Sequence, residues 1–171
     1  MKSFVKPLYI VATATFFNIQ FMAAQNPILY QNSAFSVTAQ GVQEGQYAAK
    51  VHDSGHISSN YAAQPREWKL SRTASDLPQF SADIPLAEAL YNMSLEEMLL
   101  NIRQDSAFMA GAKWEGVWTR DISYSIHLAL AAISPTTAKT SLLRKVQNGV
   151  IIQDTGSGGS YPISTDRMTW A

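Results

Sequence analysis

Cysteine is missing from this chain altogether. Its absence excludes a disulfide framework and a thiol-linked lipid anchor, so stability must come from an ordinary hydrophobic core. An excess of charge is missing too. Thirteen Lys and Arg balance thirteen Asp and Glu, with no block of like sign, which argues against a nucleic-acid or anionic-membrane surface, since both require clustered basic residues. What is present in quantity is apolar: 46% of residues are hydrophobic, the level of soluble globular proteins.

The first residues read as a targeting segment. Lys2 and Lys6 form a basic n-region, and the run Pro7 to Ala24 (PLYIVATATFFNIQFMAA) is apolar apart from Thr, Asn and Gln. The small residues Ala23 and Ala24 offer a cleavage site. Residues 1–24 are therefore expected to be a secretory signal, with export to a periplasmic or extracellular compartment and no stable membrane span after cleavage. Asn18 and Gln20 interrupt a run that barely reaches the roughly 20 residues needed to span a bilayer.

Residues 25–75 read as a small antiparallel meander. Phe35 and Val37 alternate, Tyr47, Ala49 and Val51 form a second period-two face, and turns fall at Gly41, Gly45 and Asp53-Ser54-Gly55. An irregular connector from Ser71 to Asp83 follows. Thereafter the period becomes helical. Pro85 suits a first helical turn, and Ser94 with Glu97 has the spacing of a capping box ahead of an apolar stripe of Leu95, Met98, Leu99 and Ile102. Thr119 would cap a helix with Ile122, Ile126, Ala129, Leu130 and Ile133 on one face and Tyr124, Leu128 and Ala131 extending it, a helix expected to be buried on most sides. Pro135 opens another, with Ala138, Leu142 and Val146 inward. A glycine-rich loop starts at Asp154, and a last helix would begin at Asp166 and have barely started at Ala171, so a truncated chain is expected.

The chemistry-bearing stretch is Trp118-Thr119-Arg120-Asp121. A sugar site needs a planar multi-donor, an acceptor-only carboxylate and an aromatic surface, and all three types fall within four residues. The segment resembles the W-x-R-D signature of the six-hairpin glycosidases, glucoamylase-like enzymes with an (α/α)6 barrel. That resemblance implies a mainly α fold: a partial (α/α)6 barrel over residues 76–171, preceded by the short N-terminal β-meander. It implies that Arg120 and Asp121 hold hydroxyls of a terminal sugar and that Trp118 walls the subsite, with Asp166, Arg167 and Trp114 as secondary members. The acid and base of hydrolysis would lie beyond Ala171. Glu88, Glu96 and Glu97 are placed on helix surfaces and Glu115 on a rim loop.

The expected function is thus that of a glycoside hydrolase-like protein acting on terminal sugars of oligosaccharides, inverting, without cofactor or metal. The alternatives are a non-catalytic glycan-binding protein, or another (α/α)6-barrel enzyme such as a polysaccharide lyase or sugar epimerase. His52 and His56 have metal-ligand spacing only on a helix, and the turn between them argues against zinc. His127 is expected to be a satisfied core histidine. Gly156, Gly158 and Gly159 lack the lysine of a phosphate loop.

Overall fold

The computed structural model describes residues 26–61, 65–72, 74–152 and Trp170. Its first half is a six-stranded antiparallel meander in sequential order: β1 (Ile28–Gln31), β2 (Ser36–Thr38), β3 (Gly41–Glu44), β4 (Tyr47–Asp53), β5 (His56–Ser59) and β6 (Arg66–Lys69). The turn chemistry explains the register. Gly41 has φ +157°, and a Cβ there would run into the carbonyl oxygen of Ala49 on the neighbouring strand, so only glycine fits the β2–β3 corner. Gly45, at φ +55°, closes the hairpin whose last pair is Glu44 and Tyr47. Between β4 and β5, the Gly55 amide donates to Asp53 Oδ1 at 2.8 Å, an Asx turn that fixes the bend.

The pleat then sorts the side chains. Val37, Val42 and Ala49 stand opposite one another across three strands, and Val51, Ile57 and Trp68 do so across the next three. Helix α1 (Pro85–Leu100) lies over the second group, bringing Leu86, Ala89 and Met93 against Val51, Ile57 and Trp68. Further along the same helix, Met98 joins a second core with Phe108, Ile122, Ile126, Ala138 and Trp170.

Three helical rods make up the rest. After α1 comes a continuous rod of α2 (Thr119–Ser125), a π-helical turn (Ile126–Leu130) and α3 (Ala131–Ile133); α4 (Pro135–Leu143) follows with Pro135 in its first turn. A short hairpin of β7 (Val146–Gln147) and β8 (Val150–Ile151) turns on Asn148 and Gly149, both at positive φ, the arrangement Asn-Gly favours.

This architecture corrects the expected one. Among the described residues 33% are helix and 27% strand, with a six-stranded antiparallel sheet and three helices; the fold is neither mainly α nor an (α/α)6 barrel. The physical reason lies in what α1 packs against. In a helical barrel the whole helix would meet other helices, whereas here its N-terminal half, through Leu86, Ala89 and Met93, lies on the sheet, and only the stripe of Met98, Leu99 and Ile102 joins the helical core. Ser94 and Glu97 do not cap a new helix either: Ser94 is interior to α1, and its hydroxyl donates back to the Leu90 carbonyl at 2.8 Å. The rod containing α2 is not buried on most sides, for Tyr124, His127 and Leu128 are exposed, Leu128 by 78%. Val146 lies in β7 rather than on a buried helical face. The segment from Asp154, with Asp166 and Arg167, lies outside the described residues.

Glu96, expected at a helix surface, is 4% exposed. Its carboxylate accepts from Trp68 Nε1 and from both the amide and hydroxyl of Ser71, each at 2.7 Å, and from the Arg72 amide at 3.1 Å. Four donors on one carboxylate favour the ionised form, and the Ser71 hydrogen bonds lead in holding its pKa below the ordinary glutamate value against the opposing effect of burial. The clamp ties the end of β6 and the start of the connector to α1.

Candidate functional site

A cleft of about 320 Å³ opens between the C-terminal end of α1, the loop that follows, and the rod of α2 and the π-helical turn. The loop forming its floor is held from behind. Phe108 is buried in the core, its amide donating to Ser141 Oγ at 2.7 Å, and the Met109 amide returns to the Asn101 carbonyl at 2.9 Å. Arg103 and Arg144 both reach Asp105, at 3.1 Å each, and Arg103 also donates to the Glu115 carbonyl. The hydrogen bond from Arg103 is the main cause that keeps the Asp105 carboxyl below its ordinary pKa. This ionic brace lets the loop accept the left-handed backbone of Ser106, at φ +61°.

Five polar side chains line the cleft: Ser94 and Glu97 from α1, Asn101 at its C-cap, Asp121 from the first turn of α2, and Ser125 one turn further on. Met98, Phe108, Ile122, Leu128 and Leu130 supply the apolar wall. The π-helical turn contributes to that wall; such widened turns recur at functional sites.

The hydrogen-bond inventory gives the cleft its character. Asn101 Nδ2 donates to the carbonyl of Glu97 at 2.9 Å and to Glu97 Oε1 at 3.0 Å, which assigns the amide orientation and leaves Asn101 Oδ1 as the free end. Both Ser hydroxyls donate to helix carbonyls behind them, Ser94 to Leu90 and Ser125 to Asp121. Asn101 Oδ1 and Asp121 Oδ2 are buried atoms with no hydrogen-bond partner. Native structures rarely leave buried acceptors in that state, since each costs roughly 1–3 kcal/mol. Arg120 Nε, at 4.0 Å from Asp121 Oδ2, is too distant for a hydrogen bond. Among the described residues the cleft is lined by acceptors and by no Lys, Arg or His, so it suits a ligand that brings its own donors and an apolar surface.

The predicted site residues scatter around this cleft rather than converging in it. Asp121 lines it, whereas Arg120 points its exposed side chain outward. Trp118, the residue before α2, packs edge-on against Trp114 with ring centroids 5.3 Å apart and an interplanar angle of 62°. Trp114 is 56% exposed at the tip of a turn closed by its amide on the Gly111 carbonyl. Gly116 lies beneath the pair: a Cβ on it would stand 2.6 Å from Trp118 Nε1. Asp166 and Arg167 lie outside the described residues. Glu97 and Asn101 are the members that sequence reasoning missed. Their i, i+4 spacing at the polar end of an otherwise apolar helix is the signal that could have found them.

A larger cleft of about 560 Å³ on the far side of the loop is lined by Arg103, Asp105 and Glu115. Arg103 and Asp105 are already paired with each other there, which makes it a weaker candidate. On the sheet, His52 and His56 stack at 4.3 Å, and no group of three metal-binding side chains occurs among the described residues. No described helix is long and apolar enough to cross a membrane.

Comparison with family models, with curated proteins and with solved structures finds no match to this chain. The resemblance to six-hairpin glycosidases therefore has no support from any known family or relative, and the sheet-based fold overturns it.

Proposed function

We propose that this is an exported carbohydrate-binding protein whose α1–α2 cleft takes the terminal residue of a saccharide. The observation that carries the reading is the pair of buried, partnerless acceptors, Asn101 Oδ1 and Asp121 Oδ2, on two side chains that line a cleft with an apolar wall. Saccharide hydroxyls supply donors to such oxygens, and the C–H face of the ring supplies the apolar surface that Met98, Leu128 and Leu130 can cover. The reading depends on the cleft's own inventory and needs no barrel.

Titration calorimetry of the chain with a panel of mono- and oligosaccharides tests it. Asp121→Asn places a donor where an acceptor stands and removes a charge, and it should weaken binding by about 1.5–3 kcal/mol, roughly tenfold or more in Kd. An affinity unchanged by the substitution, or no saccharide binding by the unsubstituted chain, overturns the reading.

One observation favours a second reading, hydrolysis of the bound glycoside. Glu97 and Asp121 are two carboxylates lining a single cleft, and most glycoside hydrolases use such a pair, one as acid and one as base or nucleophile. Release of reducing sugar from the oligosaccharides that bind, abolished by Glu97→Gln with binding retained, is the outcome this reading expects. Binding without release leaves the protein a non-catalytic receptor.

A further inference from the structure

The sheet carries a second surface that the cleft does not explain. Helix α1 packs on the sheet at Val51, Ile57 and Trp68; among the described residues no helix packs on the same face over β1 to β3 and the near ends of β4 and β5. The register lines up a row across it. Glu44 stands opposite Tyr47, the pairing of Ser36 with Gln43 carried one step outward puts Phe35 beside Glu44, and that of Ala49 with Ser59 carried outward puts Tyr61 beside Tyr47. Ring contacts agree with this placement: Tyr47 and Tyr61 meet edge-on at 5.4 Å, and Tyr30 packs on Phe35 at 5.6 Å. All four rings are open to solvent, at 53% for Tyr30, 36% for Phe35, 38% for Tyr47 and 69% for Tyr61. With strands about 4.8 Å apart, the nearest rings of the two clusters, Phe35 on the β2 side and Tyr47 on β4, stand about 10 Å from each other with Glu44 between them. The opposite face of the same strands carries Gln43, Lys50 and Ser58, the usual polar exterior.

We propose that this row is a second saccharide-binding surface, which runs along an extended β-linked polysaccharide chain. Three features select that occupant. Exposed rings two strands apart can meet alternate sugar rings of an extended chain, the phenol hydroxyls of Tyr30, Tyr47 and Tyr61 can donate or accept hydrogen bonds at the sugar edges, and the Glu44 carboxylate between the clusters accepts from sugar hydroxyls. The row contains no Lys or Arg, so it lacks the attraction that an anionic lipid surface or a nucleic acid requires. A second copy packed face to face about a two-fold axis would bring Glu44 towards its own counterpart, burying two like charges without a cation. A polysaccharide brings no charge and supplies donors to that carboxylate.

This surface is separate from the cleft between α1 and α2, and its test turns on ring substitutions that leave the residues lining that cleft untouched. The whole chain is incubated with microcrystalline cellulose, with chitin and with insoluble xylan, and the fraction sedimented with the solid is measured. Saturable retention on at least one solid is expected, reduced roughly tenfold in partition by Tyr61→Ala and by the pair Phe35→Ala with Tyr47→Ala, while Lys50→Ala, on the opposite face of the sheet, is retained like the unsubstituted chain. Tyr61 is the most exposed of the rings, and an unchanged far-ultraviolet spectrum for Tyr61→Ala separates lost contact from lost fold. Retention on none of the three solids, or retention indifferent to the ring substitutions, overturns the proposal. So does a concentration-dependent dimer in sedimentation velocity, or binding to neutral lipid vesicles, that the same substitutions abolish.

Discussion

Glu96 and Glu97 are neighbours on one helix and stand in opposite conditions. Glu96 faces the sheet side with its carboxylate saturated by four donors from Trp68, Ser71 and Arg72. Glu97 faces the helical side, where Asn101 is its only side-chain partner in a cleft whose other acceptors, Asn101 Oδ1 and Asp121 Oδ2, are bare. A polar group with every lone pair answered from within the chain belongs to the fold. A buried polar group left unanswered is a standing cost, and it is retained where something from outside can answer it. The difference between adjacent residues separates a structural clamp from a candidate site without appeal to residue type.

That contrast can be broken experimentally, and the largest effect should come from the saturated side. Glu96→Ala leaves Trp68 Nε1, the Ser71 amide and hydroxyl and the Arg72 amide without their acceptor, and it should cost about 3 kcal/mol in urea-unfolding free energy. A loss under about 1 kcal/mol would mean that water replaces the clamp. The same residue sets a pH dependence. Its folded-state pKa lies below the unfolded value of about 4.3, so its contribution is fully present above that pH and is lost as pH falls through the lower, folded-state value. Urea midpoints measured from pH 7 downward should fall in that acid window, and Glu96→Gln should flatten this part of the curve.

The smallest effect on stability should come from the bare side. Asp121→Asn, which is to weaken saccharide binding, should change the unfolding free energy by no more than about 0.5 kcal/mol because no hydrogen bond to the carboxylate is lost. If it destabilises the fold as Glu96→Ala does, the two carboxylates are alike after all.

The parts of the fold that could be read along the chain are those decided locally. The turns at Gly41, Gly45 and Asp53-Ser54-Gly55 and the alternation of Tyr47, Ala49 and Val51 imposed the meander, and Pro85 and Pro135 opened their helices where their fixed φ suits a first turn. What could not be read is what each element packs against. The stripe of α1 is equally good for a helix or for a sheet, and its spacing carries no record of which. Glu96 looked like a surface acid because its donors lie 24 to 28 residues earlier in the chain. The Ser94 and Glu97 spacing satisfied a capping rule inside an uninterrupted helix, where the serine hydroxyl had a nearer carbonyl to serve. Of the candidate site, Asp121 was legible from its position in the first turn of α2. Glu97 and Asn101 were not, since only the return of the loop through Met109 encloses them. The W-x-R-D run misled because its residues diverge in space: Trp118 turns to Trp114, Arg120 to solvent and Asp121 to the cleft.

Helix α1 touches the sheet through Ala89 and the second core through Met98, nine residues and roughly 13 Å apart along a single rod. Neither core can therefore be inherited, exchanged or engineered without the other. A cut through the connector before Pro85 would carry the sheet's only helical cover, among the described residues, away with the neighbouring piece and leave Val51, Ile57 and Trp68 facing water. The chain reads as strands followed by helices, but its modularity ends at α1, which serves as a shared wall between two rooms.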